Sequence, residues 1–140
     1  RNIKPSTIFL TKDFEVKIGG FGFLRTVDNS NASTAIGTLN YFSPELFDNK
    51  PYGRRSDIWS LGCTLHEMSS KDLAFKSKTY EECQKAVQAG TYAKLPSYVS
   101  LQFKDLIKKL LTVKLENRPY IDAILNDPFI KNKMKDFCKK

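Results

Sequence analysis

From Ser56 to Met68 the chain runs Ser-Asp-Ile-Trp-Ser-Leu-Gly-Cys-Thr-Leu-His-Glu-Met, and this stretch limits what the rest can fold into. The pattern predicts a helix. Ser56 is a favourable N-cap, and Asp57 places a carboxylate in the first turn, where the helix dipole stabilises it. Ile58, Leu61, Leu65 and Met68 recur at helical spacing and define one apolar face. Trp59, Gly62 and Cys63 lie off that face and are also apolar or small. Only Asp57, His66 and Glu67 have a strong claim on water. A helix apolar over more than half its circumference is buried on several sides. It is therefore expected to be the central post of a helical domain, with Cys63 and Met68 in the core and His66 packed there rather than catalytic.

The flanking segments fit that picture. Residues 1 to 7 read as a loop, with Lys4-Pro5-Ser6 as turn chemistry. Ile8–Leu10 and Val16–Ile18 read as short strands joined by Thr11-Lys12-Asp13-Phe14-Glu15, a plausible hairpin. Gly19, Gly20 and Gly22 follow, a density that signals unusual dihedrals or close backbone approach. Residues 23 to 42 read as a long polar loop, of the kind that is often functional. Ser43 with Pro44 opens a helix of one or two turns, and Lys50-Pro51-Tyr52-Gly53 turns into the central helix. Thr79-Tyr80-Glu81-Glu82 is a capping box for a helix that stops near Gly90. Ser100 caps another, with Leu101, Leu106, Ile107, Leu110 and Leu111 as its apolar stripe. Pro119 begins a further helix with Ile121, Ile124 and Leu125 inward, ended by Asp127-Pro128. Residues 131 to 140 form a lysine-rich tail, expected as a partly exposed helix or linker.

Composition excludes several classes. The 140 residues, 41% hydrophobic and 12% aromatic, suit one folded domain rather than a disordered chain. No apolar run approaches the length of a membrane span, and no signal peptide is expected. Cys63, Cys83 and Cys138 are odd in number and widely spaced, with no CxxC pair for zinc or redox chemistry. They suit reduced thiols in the cytosol or nucleus. The net charge of +8 raises nucleic acid or an anionic surface as a partner. Dispersed lysines, without interleaved aromatics that would stack bases, argue against it.

Several of these segments together resemble the C-terminal lobe of a eukaryotic protein kinase. Arg1-Asn2-Ile3-Lys4-Pro5-Ser6-Thr7 looks like the catalytic loop HRDxKxxN entered at its Arg. Gly20-Phe21-Gly22 stands where kinases have DFG, Ser43-Pro44-Glu45 matches APE, and Asp57 to Gly62 matches DxWSxG. Asn117-Arg118-Pro119 resembles the end of DPxxRP, with Lys114-Leu115 in place of its Asp-Pro. KPSxIFL, IGTxxYxSPE and SDIWSLGCxLxEM look most like the NIMA-related (NEK) serine/threonine kinases. The resemblance implies a mainly α fold, a large helical lobe with a small β-hairpin over residues 1 to 130, followed by a basic tail at 131 to 140. The N-terminal lobe, with its glycine-rich loop and ATP-anchoring Lys, is not in these residues, and the chain opens mid-motif, so a fragment is expected.

What the resemblance implies for the site is a set of departures. Asn2 replaces the catalytic Asp, and an amide cannot act as a base near neutral pH. Loss of a general base costs about 10²–10⁴ in rate. Thr7 replaces the Asn that holds one Mg²⁺, and Gly20 replaces the DFG Asp. A hydroxyl and a bare backbone are poor partners for a hard ion. ATP and Mg²⁺ binding are therefore expected to be weak or lost. Lys4 matches the Lys that contacts the γ-phosphate, and Thr38 the Thr that bonds it. Thr34 matches the activation-loop phosphosite, with Arg1 as a partner for its phosphate. Glu45 and Arg118 match a buried ion pair, Asp57 matches the acid that receives backbone N–H groups of the catalytic loop, and Trp59 belongs to the same structural set. Phe14 stands where the family often has Gly, so a wider hairpin without a left-handed residue is expected.

The retained residues build the fold and the lost ones do chemistry, which is the pattern of a pseudokinase acting as scaffold or allosteric partner. A weakly active ATP-dependent serine/threonine kinase and a basic binding module are the alternatives. The expected partner is a protein, as substrate or binding partner, and the expected compartment is the cytoplasm or nucleus, with cytoskeletal association a trait of the family.

Overall fold

Two strands open the chain, β1 (Ile8–Leu10) and β2 (Val16–Ile18), paired antiparallel with Ile8 opposite Ile18 and Leu10 opposite Val16. The structure is a computed structural model that describes residues 2–20 and 39–138. The hairpin differs from expectation at its tip. Phe14 takes a left-handed conformation at φ 60°. The Phe14 N–H donates to Thr11 O at 3.0 Å and the Thr11 N–H to Glu15 O at 3.0 Å, which leaves a three-residue loop. Such a loop ends in a left-handed residue whatever its side chain. Phe14 tolerates this because its ring is in solvent, 74% exposed. Thr11 Oγ1 accepts a further bond from the Glu15 N–H at 3.0 Å.

Six α-helices follow among the described residues: α1 (Pro44–Phe47), α2 (Arg54–Ser70), α3 (Tyr80–Ala89), α4 (Leu101–Leu110), α5 (Ile121–Leu125) and α6 (Pro128–Phe137). Ser43 stands at the N-cap of α1, but its side chain makes no capping bond. The central helix α2 starts earlier than expected, with Gly53 as N-cap. Ser56 is three residues in and reaches back, its Oγ accepting from the Gly53 N–H at 3.2 Å. This is the reciprocal half of a capping box, not the cap itself. Thr79 and Ser100 do cap, accepting from the backbone N–H groups of Glu82 and Phe103. Gly90 ends α3 in a left-handed conformation at φ 65°. Asp127 closes α5 and starts α6, its carboxylate accepting from the Phe129 N–H at 2.9 Å. That last helix runs through residue 130, so the first lysines of the expected tail, Lys131, Lys133 and Lys135, are exposed side chains of α6.

The helix α2 is the central post, but its buried stripe is rotated from the expected one. Trp59, Cys63, Thr64 and His66 are inaccessible or nearly so, whereas Met68 is 63% exposed and lies outside the core. Trp59 and Cys63 join Leu39, Phe47, Phe75, Val87, Ile107 and Leu111 on one side. Ile58 joins Leu106, Leu110 and Ile124 on another. Buried polar residues on α2 bond to carbonyls: Ser60 Oγ donates to Tyr41 O at 2.8 Å and Thr64 Oγ1 to Ser60 O at 2.8 Å. The His66 ring, expected to claim water but also to pack, is buried with Nε2 2.8 Å from Ala93 O. Gly62 lets α4 approach closely. A Cβ there would lie 2.8 Å from Leu111 Cδ2 and 2.9 Å from Leu110 Cβ. Two other stripes are narrower than the periodicity suggests. Leu101 is 75% exposed, and in the five-residue α5 only Ile124 turns inward, leaving Ile121 and Leu125 exposed.

Arg118 ties these parts together. It is 1% exposed, and Glu45 is 3% exposed. Its two terminal nitrogens donate to the two Glu45 oxygens at 2.8 and 3.0 Å. The remaining donors reach Thr112 O at 2.9 Å, Arg55 O at 2.9 Å and Val113 O at 3.2 Å. All five guanidinium N–H groups are thus used. Ser56 Oγ donates to Glu45 Oε1 at 2.6 Å. One ion pair joins α1, the start of α2, the segment after α4 and the 115–118 turn, while the guanidinium also lies 5.0 Å from the Trp59 ring centroid. Burial alone would raise the Glu45 pKa, but the bonds from Arg118 and Ser56 and the guanidinium charge outweigh it and hold it at about 2.

Three outcomes follow from these contacts. Phe14→Gly is expected to raise stability by about 1 kcal/mol in thermal denaturation, since it removes left-handed strain and no packing. Arg118→Met, which strands a buried carboxylate, is expected to cost about 3–5 kcal/mol in urea unfolding. Because the Glu45 pKa falls from 4.5 to about 2 on folding, its stabilisation is complete above pH 4.5 and lost as pH drops through 2. The acid-side slope of Tm in that window is expected to flatten in Glu45→Gln.

Candidate functional site

The candidate site lies between the loop that leads into β1 and the segment that leaves β2. Residues Pro5–Thr7 make one 3-10 turn, which brings the Thr7 side chain back over the start of the loop. Thr7 is 6% exposed. Its Oγ1 lies 2.6 Å from Asn2 O and 3.0 Å from Lys4 O, so its proton is given to backbone carbonyls. The same oxygen accepts from the Lys4 N–H at 3.2 Å. On the other side, the Gly19 N–H donates to Thr7 O at 2.8 Å, which fixes the exit from β2 against the loop.

Gly20 then takes φ +78° and turns the chain next to Thr7. A Cβ at Gly20 would lie 2.7 Å from Thr7 Cγ2 and 3.4 Å from Asn2 Nδ2. Gly19 is close-packed as well, since a Cβ there would meet the Phe9 ring at 2.8 Å. The glycine density after β2 thus marks close backbone approach at Gly19 and Gly20, as the sequence suggests. Asn2, Thr7 and Gly20 converge on one corner. Lys4 is half-buried in the same loop, and Thr64 Oγ1 on α2 lies 3.5 Å from Ile3 O beneath it. Arg1, Thr34 and Thr38, together with Phe21 and Gly22, lie outside the described residues.

The corner offers an amide, a hydroxyl and a bare backbone. The Asn2 Oδ1 is buried with no hydrogen-bond partner among the described residues. Thr7 Oγ1 is committed to the loop backbone, and Gly20 contributes no side chain. Mg²⁺ requires several hard oxygens in near-octahedral order, with carboxylates to offset its charge. These three residues do not fit that ion. Among the described residues no cluster of three or more His, Cys, Asp or Glu side chains offers another metal site.

The structural residues of the set sit below this corner. Asp57, in the first turn of α2, accepts a 2.5 Å bond from the Tyr52 hydroxyl. Trp59 is fully buried and stacks on Phe75 with ring centroids 5.4 Å apart. Two residues carry more than the sequence reading gave them. Ser56 bonds Glu45, a role hidden because its spacing also suits a cap. Tyr41 donates to Glu67 Oε2 at 2.5 Å, and burial followed by that carboxylate raises the phenol pKa. The pairing is long-range, so nothing local in the sequence announces it.

The chain is similar to known proteins along nearly all its length. The family model described as protein kinase domain matches residues 1–130. The chain is 37% identical over 141 residues to mouse serine/threonine-protein kinase Nek4, covering 99% of this chain and 18% of that protein. It is 39% identical over 136 residues to the probable serine/threonine-protein kinase nek3 of Dictyostelium discoideum, covering 93% of this chain and 12% of that one. The G2-specific protein kinase nimA of Emericella nidulans is 35% identical over 132 residues, which is 94% of this chain and 19% of nimA. The chain thus spans less than a fifth of each of these three relatives. No helix among the described residues is long and apolar enough to cross a membrane. On the match over 130 of its 140 residues, this chain belongs to the protein kinase domain family, with NEK-type serine/threonine kinases among its relatives.

Proposed function

We propose that the chain is the C-terminal lobe of a NEK-like pseudokinase, a domain that serves as scaffold or allosteric partner rather than as a phosphotransferase. The observation that carries this reading is the bonding of Thr7, whose hydroxyl gives its proton to Asn2 O or Lys4 O and accepts from the Lys4 N–H. A residue tied in this way organises the loop and offers a metal at most one neutral lone pair. Gly20 beside it has no side-chain ligand, and Asn2 has no basic atom. Phosphoryl transfer depends almost wholly on positioning and electrostatics, so loss of base and metal ligands together removes most of the mechanism. The Glu45–Arg118 pair and the packed Trp59, by contrast, are intact. ATP binding is weak or lost in this reading, the partner is a protein, and the compartment is intracellular, with cytoskeletal association carried over from the family. Thr34 and Arg1 remain the phosphate-dependent switch, and Thr38 with Lys4 the remnant of substrate positioning.

Restoring the base alone tests it. In the natural-length protein, Asn2→Asp is expected to leave phosphorylation of casein and of the protein itself at background, and ATP to give no Mg²⁺-dependent rise in Tm. Robust transfer by that single variant would favour the weakly active kinase instead.

A further inference from the structure

We infer that Thr7 and Gly20 are a sterically matched pair: the Thr7 methyl fills the space a side chain at position 20 needs, so that corner admits a carboxylate only when both residues change. This rests on the pseudokinase reading and deepens it, because it makes the two missing metal ligands one coupled departure.

The distances carry the argument. A Cβ at Gly20 would sit 2.7 Å from Thr7 Cγ2, well inside van der Waals contact, with Thr7 Cβ and Asn2 Nδ2 both at 3.4 Å. Something must move to admit it, and Thr7 is badly placed to do so. The atom in the way is a branch on its Cβ, not the far end of a flexible chain, and β-branched residues are stiff about χ1. Turning that torsion would carry Oγ1 away from Asn2 O, Lys4 O and the Lys4 N–H together. Shifting the backbone instead would break the 2.8 Å bond from the Gly19 N–H to Thr7 O, one residue from the clash. Thr7 is 6% exposed, so no solvent gap receives the displaced methyl.

Two costs therefore oppose a side chain at position 20, and they are separable. The first is its φ of +78°, which strains any L-residue and belongs to position 20 alone. The second is the contact with Thr7, which depends on the methyl. An Asn at position 7 has a single γ branch and can turn it aside, so the contact cost is specific to Thr. Changing position 7 alone gains no ligand from position 20, and changing position 20 alone meets the methyl.

A double-mutant cycle on Tm separates the two costs. Thr7→Ser removes Cγ2 and keeps Oγ1; loss of a buried methyl is expected to lower Tm by a few degrees, an effect the cycle subtracts. Gly20→Ala is expected to lower Tm in the parent chain, and its penalty is expected to be smaller by about 3 °C or more when Thr7→Ser is also present. The same comparison with Gly20→Asp is expected to show a relief at least as large. If Gly20→Ala abolishes the folding transition outright, its return in the Thr7→Ser, Gly20→Ala double variant supports the pairing, and continued unfolding overturns it. Equal penalties in the two backgrounds also overturn it. The cycle reads folding alone, so its failure would leave the phosphotransfer test of the pseudokinase reading untouched.

Discussion

The Arg118–Glu45 pair is the contact on which the helical body depends. A buried ion pair is weak evidence of stability when its leftover hydrogen-bonding groups are unmet, because desolvation then offsets the attraction. Here nothing on the guanidinium is left over: two N–H groups go to the carboxylate and three to the carbonyls of Thr112, Arg55 and Val113. The Thr112 and Val113 carbonyls follow the C-terminal end of α4, where the backbone has spare acceptors, whereas the Arg55 carbonyl sits in the first turn of α2 and takes the guanidinium on its second lone pair. One side chain thus satisfies the carbonyls after α4 and ties them to the first turn of α2 while neutralising a charge on α1. A lysine, with three donors on a point charge, could not do the same.

Above this pair the central helix imposes the order of the core. Its identity was legible in the sequence because a run apolar on nearly every side has only one place to go. Its orientation was not. Periodicity favoured the Ile58, Leu61, Leu65 and Met68 face, since those four are the most regularly spaced aliphatic residues. The structure buries Trp59, Cys63 and His66 more deeply, and the hydroxyls of Ser60 and Thr64 with them. A hydroxyl or imidazole looks polar in a sequence, but one bonded to a carbonyl is compatible with the interior. At the capping residues Thr79 and Ser100 reading and structure agree, whereas Ser56 reaches back from inside α2 and Ser43 makes no capping bond. Where the pattern needed knowledge of neighbours, as at Leu101, Ile121 and Leu125, the apolar stripe was drawn too wide.

The candidate site was legible in composition and opaque in geometry. That Asn2, Thr7 and Gly20 bring an amide, a hydroxyl and a bare backbone is visible letter by letter. That the three touch one another is not, since positions 7 and 20 are separated by a whole hairpin. The hairpin itself carries a related lesson at Phe14. A bulky residue argued against a left-handed turn, yet the two hydrogen bonds that close the loop fix its length and leave Phe14 no alternative. Backbone bonding outranked side-chain preference there because the ring meets only water.

The missing side chain at Gly62 has a consequence for how the body can move. With Leu110 and Leu111 seated directly against the α2 backbone, the two helices interlock like a key in a slot. Sliding α4 along α2 would carry these leucines off Gly62 toward the side chains one turn away on the same face, Ile58 and Trp59 on one side and Leu65 and His66 on the other, so the contact resists shear. The missing side chain thus couples the two helices, and a Cβ at position 62 would push them apart at that crossing.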